Sequence, residues 1–223
     1  MLYTRQTARD NIRNRDGKRV FYLGKGDQLT SDARDYLTRE RIAILPASEA
    51  KPERYRLLGG GYVEYKPENM THLCGDVLVP KTHPRILLRG AVDTLEAELL
   101  LCCAAAQGDI RKQLEEALTY ARNLLGHEVL DEPVKETVLG GLDAGALRQR
   151  SHRPQDFYNQ PHFMPSPEDG ELLLLVNRAR CAARGAELKA VAAFPDSRED
   201  LIQAFNRLSS FLYLIMIQLK ASL

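Results

Sequence analysis

Hydrophobic residues recur every three or four positions through two neighbouring segments in the middle of the chain, a spacing typical of helices with one buried face. The first segment opens at Pro84 and runs to about residue 106. The second follows Gly108 and Asp109 and has Gly126 near its end. Because proline is tolerated in the first turn of a helix, these segments predict two core helices joined by a short turn.

Two more helices are predicted at the end of the chain, roughly over residues 168–193 and 197–219. We expect Asp196 or Ser197 to cap the last one, because side-chain oxygens there accept from free N–H groups of the first turn. The apolar run over 211–219 is shorter than the about 20 residues that cross a bilayer. It predicts a buried helix.

Prolines separate these two pairs of helices. They stand at positions 133, 154, 161, 165 and 167 and exclude long helices between residues 131 and 170. One short helix is predicted over residues 144–150, which would be a fifth. The main domain is therefore predicted to be all-α, a four- to five-helix bundle.

The N-terminal part has a different pattern. Residues 20–23 alternate and residues 42–45 form an apolar run before Pro46, so both predict strands. Thr30 is a suitable N-cap for a short helix through Leu37 between them. This order predicts a small α/β appendage.

Three regions follow from these patterns. We predict the appendage over residues 1–46, a linker rich in glycine, proline and charged residues over 47–69, and the helical bundle over 70–223.

Charge and cysteine content narrow the class of protein. The formal net charge is +1, from 31 basic and 30 acidic residues, so no overall field attracts nucleic acid or an anionic membrane. The four cysteines have no zinc-like spacing and the chain starts without a secretory leader, which favours a reducing cytoplasm. The remaining nucleic-acid candidate is an arginine-rich N-terminal segment, which we expect to be a short unstructured arm diluted by aspartates. Its residues are Arg5, Arg9, Arg13, Arg15 and Arg19, interleaved with Asp10 and Asp16.

A polar stripe on the first C-terminal helix carries the most chemistry. Asn177, Arg180, Arg184 and Glu187 lie three and four residues apart and share one helix face. They could form a solvated stripe with an Arg184–Glu187 ion pair, or a clamp for phosphate groups. This segment alone does not choose between the two.

The last helix adds polar residues to an otherwise apolar surface. Asn206, Ser209, Ser210 and Tyr213 lie on one side of it. Polar side chains there need hydrogen-bond partners. Either they form a network between helices, or Asn206 and Arg207 meet a nucleotide.

A third polar patch precedes the first core helix. Thr71, Lys81 and Arg85 would place a hydroxyl group and two cations near free backbone N–H groups, which bind phosphate. Within that helix Asp93 has apolar neighbours, and a carboxylate there needs a cationic partner. Arg180 is the natural candidate.

In order and near-correct spacing, these segments resemble the corrinoid adenosyltransferases. The stretch from Thr71 through Lys81 to Gly90-Ala91-Val92-Asp93 is similar to the family's nucleotide-binding segment and first helix. The stretches 180–187 and 206–209 are similar to its two C-terminal signatures, and Phe163-Met164-Pro165-Ser166 to its aromatic loop. Ser151-His152-x-Pro154 and Ser210 agree with the ethanolamine-utilisation branch.

Two departures accompany this resemblance. The ethanolamine branch often carries a cysteine cluster that binds a metal ahead of the Thr71 segment, whereas residues 47–70 contain no cysteine, so we predict no metal held by protein cysteines. Gly185 stands where the family usually has a second arginine, which would weaken one anion contact.

The resemblance implies transfer of the 5′-deoxyadenosyl group of ATP to reduced cob(I)alamin. The products would be adenosylcobalamin and triphosphate, the former for a coenzyme-dependent lyase such as ethanolamine ammonia-lyase. Cobalt itself attacks the ribose carbon, so no protein nucleophile or general base is needed. ATP, Mg²⁺ and cobalamin are the expected small molecules.

The same resemblance implies residue roles. Arg184 and Arg207 would contact ATP together with Thr71 and Lys81. Asn206 would fix the nucleotide or its Mg²⁺, and Glu187 would order Arg184 or bind that metal.

Three further roles concern the catalytic step. Asp93 paired with Arg180 would hold the helices in register, and Arg184 would act on the leaving group. Phe163 would contact the corrinoid and exclude an axial ligand of its cobalt, unless it serves only core packing.

The resemblance also implies a homo-oligomer with ATP between subunits, a trimer or alternatively a dimer. It would work in the cytoplasm, with the interior of a bacterial microcompartment as a specific location. The alternative function is a non-catalytic module that binds or delivers corrinoid, or docks compartment enzymes through the appendage. Gly185 and the missing cysteine cluster favour that alternative.

Overall fold

The computed structural model describes residues 1–15, 18–50, 55–63 and 65–222. Asp16 of the arginine-rich segment, residues 51–54 and 64 of the predicted linker, and Leu223 lie outside this part. The chain forms two compact units, Met1–Tyr55 with Tyr62–Tyr65, and Arg56–Gly61 with Lys66–Leu223. The boundaries that we placed after residues 46 and 69 stay predictions.

The first unit is the expected α/β appendage. Strands β1 (Leu2–Tyr3), β2 (Ile12–Arg15), β3 (Lys18–Leu23), β4 (Gln28–Leu29) and β5 (Ala43–Pro46) surround helices α1 (Arg5–Asp10) and α2 (Ser31–Arg39). β3 pairs with β5 in parallel and with β2 antiparallel, and α2 is the crossover between β3 and β5. The predicted strand-helix-strand order is therefore present within a larger set of elements.

Local sequence explains much of this unit. The Thr30 hydroxyl accepts a hydrogen bond from the backbone N–H of Ala33, as predicted for the N-cap of α2. A small core of buried residues lies beneath the sheet, formed by Ala8, Phe21, Ala33, Leu37 and Ile42. The expectation of an unstructured arm was wrong, because α1 and the β2–β3 hairpin include the arginines of that segment.

The second unit begins with short strands, namely β6 (Tyr55–Leu57, from Arg56 onward), β8 (Met70–Cys74) and β9 (Val77–Pro80). Strand β7 (Tyr62–Val63) is counted with the first unit. β8 and β9 form an antiparallel hairpin, and β6 runs parallel to β9. Gly75 makes the turn with a φ of +53°, a conformation that glycine adopts without strain. The sequence analysis assigned no element to this polar patch, and the structure places it largely in the hairpin.

Four long helices form the main body of the second unit, as predicted. They are α3 (Pro84–Ala105), α4 (Gly108–Leu130), α7 (Glu171–Ala193) and α8 (Glu199–Ala221). α3 packs on α7, α7 on α8, and α4 against both α3 and α8. The apolar faces meet in two clusters of buried side chains, one centred on Leu99, Leu118, Val176 and Leu212, the other on Val92, Leu124, Ala186 and Phe205. The all-α bundle with an α/β appendage is confirmed.

Two helix ends differ from the sequence prediction. α4 continues beyond Gly126 to Leu130. The N-cap of α8 is Arg198, with a φ of 55°, and neither Asp196 nor Ser197 takes this position. The Arg198 guanidinium explains the shift, because it donates to the Glu132 carbonyl at 2.7 Å and to Asp200 at 3.1 Å.

The connection between α4 and α7 contains a β-hairpin and two short helices. β10 (Val138–Leu139) pairs with β11 (Leu142–Asp143), followed by α5 (Ala144–His152) and α6 (Pro154–Tyr158). α5 is the predicted fifth helix and packs on α8. Among the described helices, none combines the length and hydrophobicity that a membrane span requires.

Candidate functional site

The polar stripes of α7 and α8 meet at the centre of the second unit. The Asn206 side-chain amide donates to the Glu187 carboxylate at 2.8 Å. Arg207 Nη1 donates in turn to the Asn206 carbonyl oxygen. Of the two alternatives for these polar residues, the structure shows a hydrogen bond between helices at Asn206, and the nucleotide contact stays a prediction. The Arg184–Glu187 ion pair is not among those formed by the described residues, and Glu187 bonds to Asn206 instead.

Arg207 is the least satisfied cation of this group. Its Nε atom is buried and has no hydrogen-bond partner in the described structure. Burial lowers the pKa of Arg207, the nearby positive charge of Arg148 lowers it further, and Glu187 acts in the opposite direction. The guanidinium remains charged at neutral pH. An anion brought next to it would therefore relieve both lost hydration and repulsion.

Arg148 and Arg184 add further positive charge around the same carboxylate. Arg184 lies one turn before Glu187 on α7 and is exposed, and Arg148 is exposed on α5. Neither side chain has an ion pair or hydrogen bond within the described part of the chain. Arg207 thus lies near both Glu187 and Arg148, and Arg184 adds a third arginine one turn from Glu187, an arrangement suited to an anionic ligand with several charges.

A second group of polar and aromatic residues lies farther along the same two helices. Arg180 donates to Asn177 at 2.9 Å, and its charge acts on the phenol of Tyr213. Arg180 precedes Glu187 by seven residues and Tyr213 follows Asn206 by seven. Seven residues of helix span about 10 Å. The two groups are therefore about two turns apart, with Arg184 between them.

Phe163 belongs to this second group. Its ring lies 6.3 Å from that of Tyr213 in a stacked orientation, and the Lys220 ammonium lies 5.8 Å from its centre. Phe163 is half-buried and packs against the core. The structure therefore gives it the packing contact, and its predicted corrinoid role stays a prediction.

The predicted Asp93–Arg180 ion pair is not among those that the described residues of one chain form, and it stays a prediction. Asp93 is exposed and takes part in none of the ion pairs of the described residues, while the Arg180 guanidinium bonds to Asn177. Two contacts bracket Asp93 along the α3–α7 pair: Arg85 against Phe194, and Glu98 bonded to Arg178 at 2.5 Å. Asp93 and Arg184 therefore lie along the same stretch of this antiparallel pair.

The third predicted patch is distributed over the hairpin and the start of α3. Thr71 lies in β8 and is half-buried, and Lys81 is exposed between β9 and α3. No hydrogen bond or ion pair of the described residues joins either of them to Glu187, Asn206 or Arg207. The contact of Arg85 with Phe194, at the end of α7, places this patch at the end of α7 nearer to Glu187.

Glu128 is an important residue that the sequence analysis missed. Its side chain is 1% exposed and accepts hydrogen bonds from Arg85 and, at 2.7 Å, from Arg89. Arg85 also donates to the Glu128 backbone carbonyl at 2.7 Å. Arg85 is therefore neutralised inside the bundle. The spacing of Arg85 and Arg89, one turn apart, was the available signal that they share a partner.

The serine and histidine at the end of α5 have structural contacts. Ser151 donates to the Arg148 carbonyl at 3.1 Å, and the carbonyl of His152 lies 3.2 Å from His162 Nε2. Across the described residues, no group of three or more His, Cys, Asp and Glu side chains is arranged to hold a metal ion. The absence of a cysteine-bound metal stays a prediction.

Comparison with known proteins decides the family. The family model described as cobalamin adenosyltransferase matches residues 62–219, a stretch that contains the α7 and α8 stripes. The chain belongs to the cobalamin adenosyltransferase family. It is 31% identical to the corrinoid adenosyltransferase EutT of Salmonella typhimurium over 95% of this chain and 80% of that protein. It is 30% identical to EutT of Escherichia coli strain K12 over 78% of this chain and 67% of that protein. Membership in the ethanolamine-utilisation branch is thereby confirmed.

Solved structures of family members support the fold. Two variants of the PduO-type ATP:corrinoid adenosyltransferase from Lactobacillus reuteri, each complexed with cobalamin and ATP, have a TM-score of 0.50 to this chain. Their identities are 15% and 16%, and the match covers 76% of this chain and 87% or 85% of theirs. At this identity the likeness bears on the fold alone.

Proposed function

We propose that this chain transfers the 5′-deoxyadenosyl group of ATP to reduced cob(I)alamin. Cobalt(I) supplies the electron pair for the new cobalt–carbon bond and becomes cobalt(III). The bond from the ribose 5′ carbon to oxygen breaks, and triphosphate leaves with the electron pair of that broken bond. The products are adenosylcobalamin and triphosphate. Since the nucleophile belongs to the substrate, the protein must bind, orient and neutralise charge.

The unbalanced positive charge between α7 and α8 supports this function most directly. Within the part of the chain that the structure describes, the buried Arg207 Nε has no acceptor and the exposed Arg184 forms no ion pair or hydrogen bond. Triphosphate offers many oxygen acceptors, and the planar guanidinium fork bonds phosphate oxygens two at a time. The negative charge of the leaving triphosphate would therefore be stabilised by Arg184 and Arg207, whose charges no carboxylate pairs with in the described structure.

Residue roles follow from this arrangement. Arg184 and Arg207 bind the triphosphate, with Lys81 and Thr71 contributing from the hairpin end of the unit. Asn206 holds Arg207 in place and binds the nucleotide. Glu187 orients Asn206 through the 2.8 Å hydrogen bond.

A magnesium ion accompanying ATP fits the same group. Mg²⁺ is commonly bound by one or two carboxylates together with substrate phosphates. Glu187 supplies the carboxylate, and only its Oε1 takes part in a hydrogen bond of the described structure. Bound there, the ion would neutralise part of the triphosphate charge.

The aromatic group about two turns away is the proposed corrinoid end of the site. Phe163 would contact the lower face of the corrin and exclude the axial ligand, which makes cobalt(II) easier to reduce. Arg180, beside Tyr213, would border this end. The catalytic assignment of Asp93 rests on a pairing that one chain does not form, and its role stays a prediction.

A homo-oligomer, a trimer in our proposal, would complete the site with ATP bound between subunits. Several large apolar side chains on the outer faces of α3 and α7 support assembly, since exposed apolar patches commonly mark protein interfaces. They are Leu100, Leu101, Leu174, Leu188 and Val191. Light scattering of the purified protein tests the assembly: a trimer mass is expected, and a monomer at micromolar concentration would contradict it.

An anaerobic assay tests the reaction. The protein is mixed with ATP, magnesium and chemically reduced cobalamin, and the light-sensitive spectrum of adenosylcobalamin is followed. Absence of product at high enzyme concentration would overturn the proposal. Calorimetry separates the enzyme from a corrinoid carrier, because the enzyme must bind ATP without corrinoid present.

The pathway is a further part of the proposal. The product would supply an adenosylcobalamin-dependent lyase such as ethanolamine ammonia-lyase, inside a bacterial microcompartment. Co-purification of the protein with isolated compartments is the expected result. Recovery only in fractions without compartments would contradict this location.

A further inference from the structure

The loop that carries Phe163 is attached to α8 at two points. At its start, His162 Nδ1 lies 2.8 Å from the Tyr213 hydroxyl, and the two rings stack with centres 5.8 Å apart. At its end, the buried Asp169 carboxylate pairs with Lys220. The Lys220 ammonium also lies over the Phe163 ring. Phe163 is thus held between two anchors on one helix.

The hydrogen bonds of His162 define which ring nitrogen carries the proton. Nε2 lies 3.2 Å from the backbone carbonyl of His152, which can only accept, so Nε2 donates. In the neutral imidazole Nδ1 then has no hydrogen and accepts from the Tyr213 hydroxyl. The Tyr213 hydroxyl therefore donates its hydrogen to His162, and its oxygen can still accept a hydrogen bond.

Tyr213 also contacts the next residue of the loop. Burial raises the pKa of the Tyr213 phenol, while a hydrogen bond from the Phe163 backbone and the charge of Arg180 act in the opposite direction. The Tyr213 hydroxyl thus bonds to His162, and its ring lies 6.3 Å from the Phe163 ring and within 23° of parallel to it. A single side chain therefore contacts two consecutive residues of the loop, one through a hydrogen bond and one through its ring.

We propose that Tyr213 is a positioning residue for the corrinoid step, holding Phe163 where it excludes the axial ligand of cobalt. This inference rests on the proposed function of Phe163. Tyr213 does not touch the reacting atoms; it acts through His162 and Phe163. Removing its hydroxyl group frees the loop without removing the Phe163 ring.

Amide exchange of the substrate-free protein tests the contact independently of activity. Residues 162–164 lie between Pro161 and Pro165, which have no amide hydrogen, so their exchange is read without adjoining amides. In Tyr213→Phe, exchange over residues 162–164 should accelerate about fivefold or more, because the loop loses the His162–Tyr213 bond, an effect of about one net hydrogen bond. Tyr120→Phe is the matched control, because it removes another half-buried phenol, bonded to Thr137 at 2.6 Å, outside the site. Equal exchange in wild type and Tyr213→Phe would overturn the proposal.

The spectrum of bound cob(II)alamin tests the consequence. With ATP present, wild type should show four-coordinate cobalt(II) by electron paramagnetic resonance, and Tyr213→Phe should show less than half of it. The KM for ATP should not change. An unchanged cobalt spectrum in Tyr213→Phe overturns the positioning role. If wild type and Phe163→Ala give the same spectrum, Phe163 does not exclude the axial ligand. The proposed function of Phe163 is then wrong, and the inference about Tyr213, which rests on it, is wrong as well.

Two substitutions of His162 complete the test. Glutamine can accept from the phenol and donate to the His152 carbonyl, so His162→Gln should keep most of the four-coordinate species. His162→Ala cannot, and should resemble Tyr213→Phe. Equal loss in both variants would contradict a hydrogen-bonded relay to Phe163.

Discussion

Two arginine clusters in the helical unit differ in how fully their guanidinium groups are hydrogen-bonded. In the first, Arg85 and Arg89 of α3 surround Glu128 of α4, which is 1% exposed and bonded to both. In the second, Arg207 of α8 has a buried Nε without a partner. In the first cluster both arginines bond to a carboxylate of the chain. In the second, among the described residues, one guanidinium N–H group has no acceptor.

The difference separates arginines that hold the fold from arginines that bind a ligand. Arg85 lies in the stretch whose sequence resembles the family's nucleotide-binding segment. Its bonds to Glu128 and its contact with Phe194 nevertheless hold helices together. Arg184 and Arg207 have no such compensation. Removing a residue from the first cluster should therefore affect stability, and removing one from the second should affect activity.

The largest effect is expected for Glu128→Ala. The substitution leaves two half-buried guanidinium groups without their carboxylate, and breaking a buried pair in this way costs about 3–5 kcal/mol. Denaturant unfolding should show this loss of unfolding free energy. Glu128→Gln, which keeps the shape and one acceptor, should lose less. A variant as stable as wild type would mean that the cluster does not hold α3 to α4.

Arg207→Met should have the opposite signature. Loss of a cation that faces the leaving triphosphate should lower kcat/KM about 100-fold. Stability should stay within about 1 kcal/mol of wild type or rise, because a desolvated charge with an unpaired Nε is removed. The paired measurements are the anaerobic assay and denaturant unfolding. A large loss of stability with normal specific activity would place Arg207 with the structural arginines.

Arg184→Ala should reduce the rate at least about tenfold, equivalent to about 1.4 kcal/mol in the barrier. Arg184 is exposed and forms no ion pair or hydrogen bond among the described residues, so the unfolding free energy should change little. Arg178→Ala is the matched control on the same helix, since Arg178 pairs with Glu98 instead of facing Glu187. Equal activity loss in both variants would indicate a general charge effect and contradict a specific role of Arg184.

The smallest effect is expected for Asp200. It bonds to Arg198, and both Arg198 and Arg85 of the first cluster contact the ring of Phe194. Burial raises the pKa of Asp200, but hydrogen bonds from Arg198 and from the Val134 backbone outweigh it, so the pKa lies below 3.8. A lowered carboxylate pKa stabilises the fold above pH 3.8, and this contribution is lost as the pH falls through the lower, folded-state value. Unfolding of Asp200→Asn between pH 6 and 3 should show a weaker pH dependence than wild type. Identical curves would exclude this linkage.

Elements governed by local chemistry were predictable from sequence. The four long helices follow from apolar spacing, and the Thr30 cap from one hydroxyl at the right position. The polar face of α7 and the need of Asn206 for a partner were also visible in the sequence. These features depend on residues a few positions apart.

Features that depend on distant partners were not predictable. Glu128 meets Arg85 and Arg89 across 43 and 39 residues, and these bonds continue α4 beyond Gly126. Arg198 takes the cap of α8 because the Glu132 carbonyl, 66 residues away, binds its guanidinium. The His162–Tyr213 contact spans 51 residues. Tertiary contacts of this kind override the local preference of the sequence for a helix end or cap. The periodicity of hydrophobic residues does not reveal them.

The two prolines that bracket residues 162–164 have a consequence for substrate choice. Proline restricts its own backbone and that of the residue before it, so Gln160 and Met164 have few conformations even in the unfolded chain. The backbone on both sides of Phe163 is therefore restricted before a corrinoid docks as proposed, and less chain entropy is lost on docking. We therefore expect the proposed corrinoid site to select corrinoids by shape and to bind those with bulky substituents on the lower face poorly.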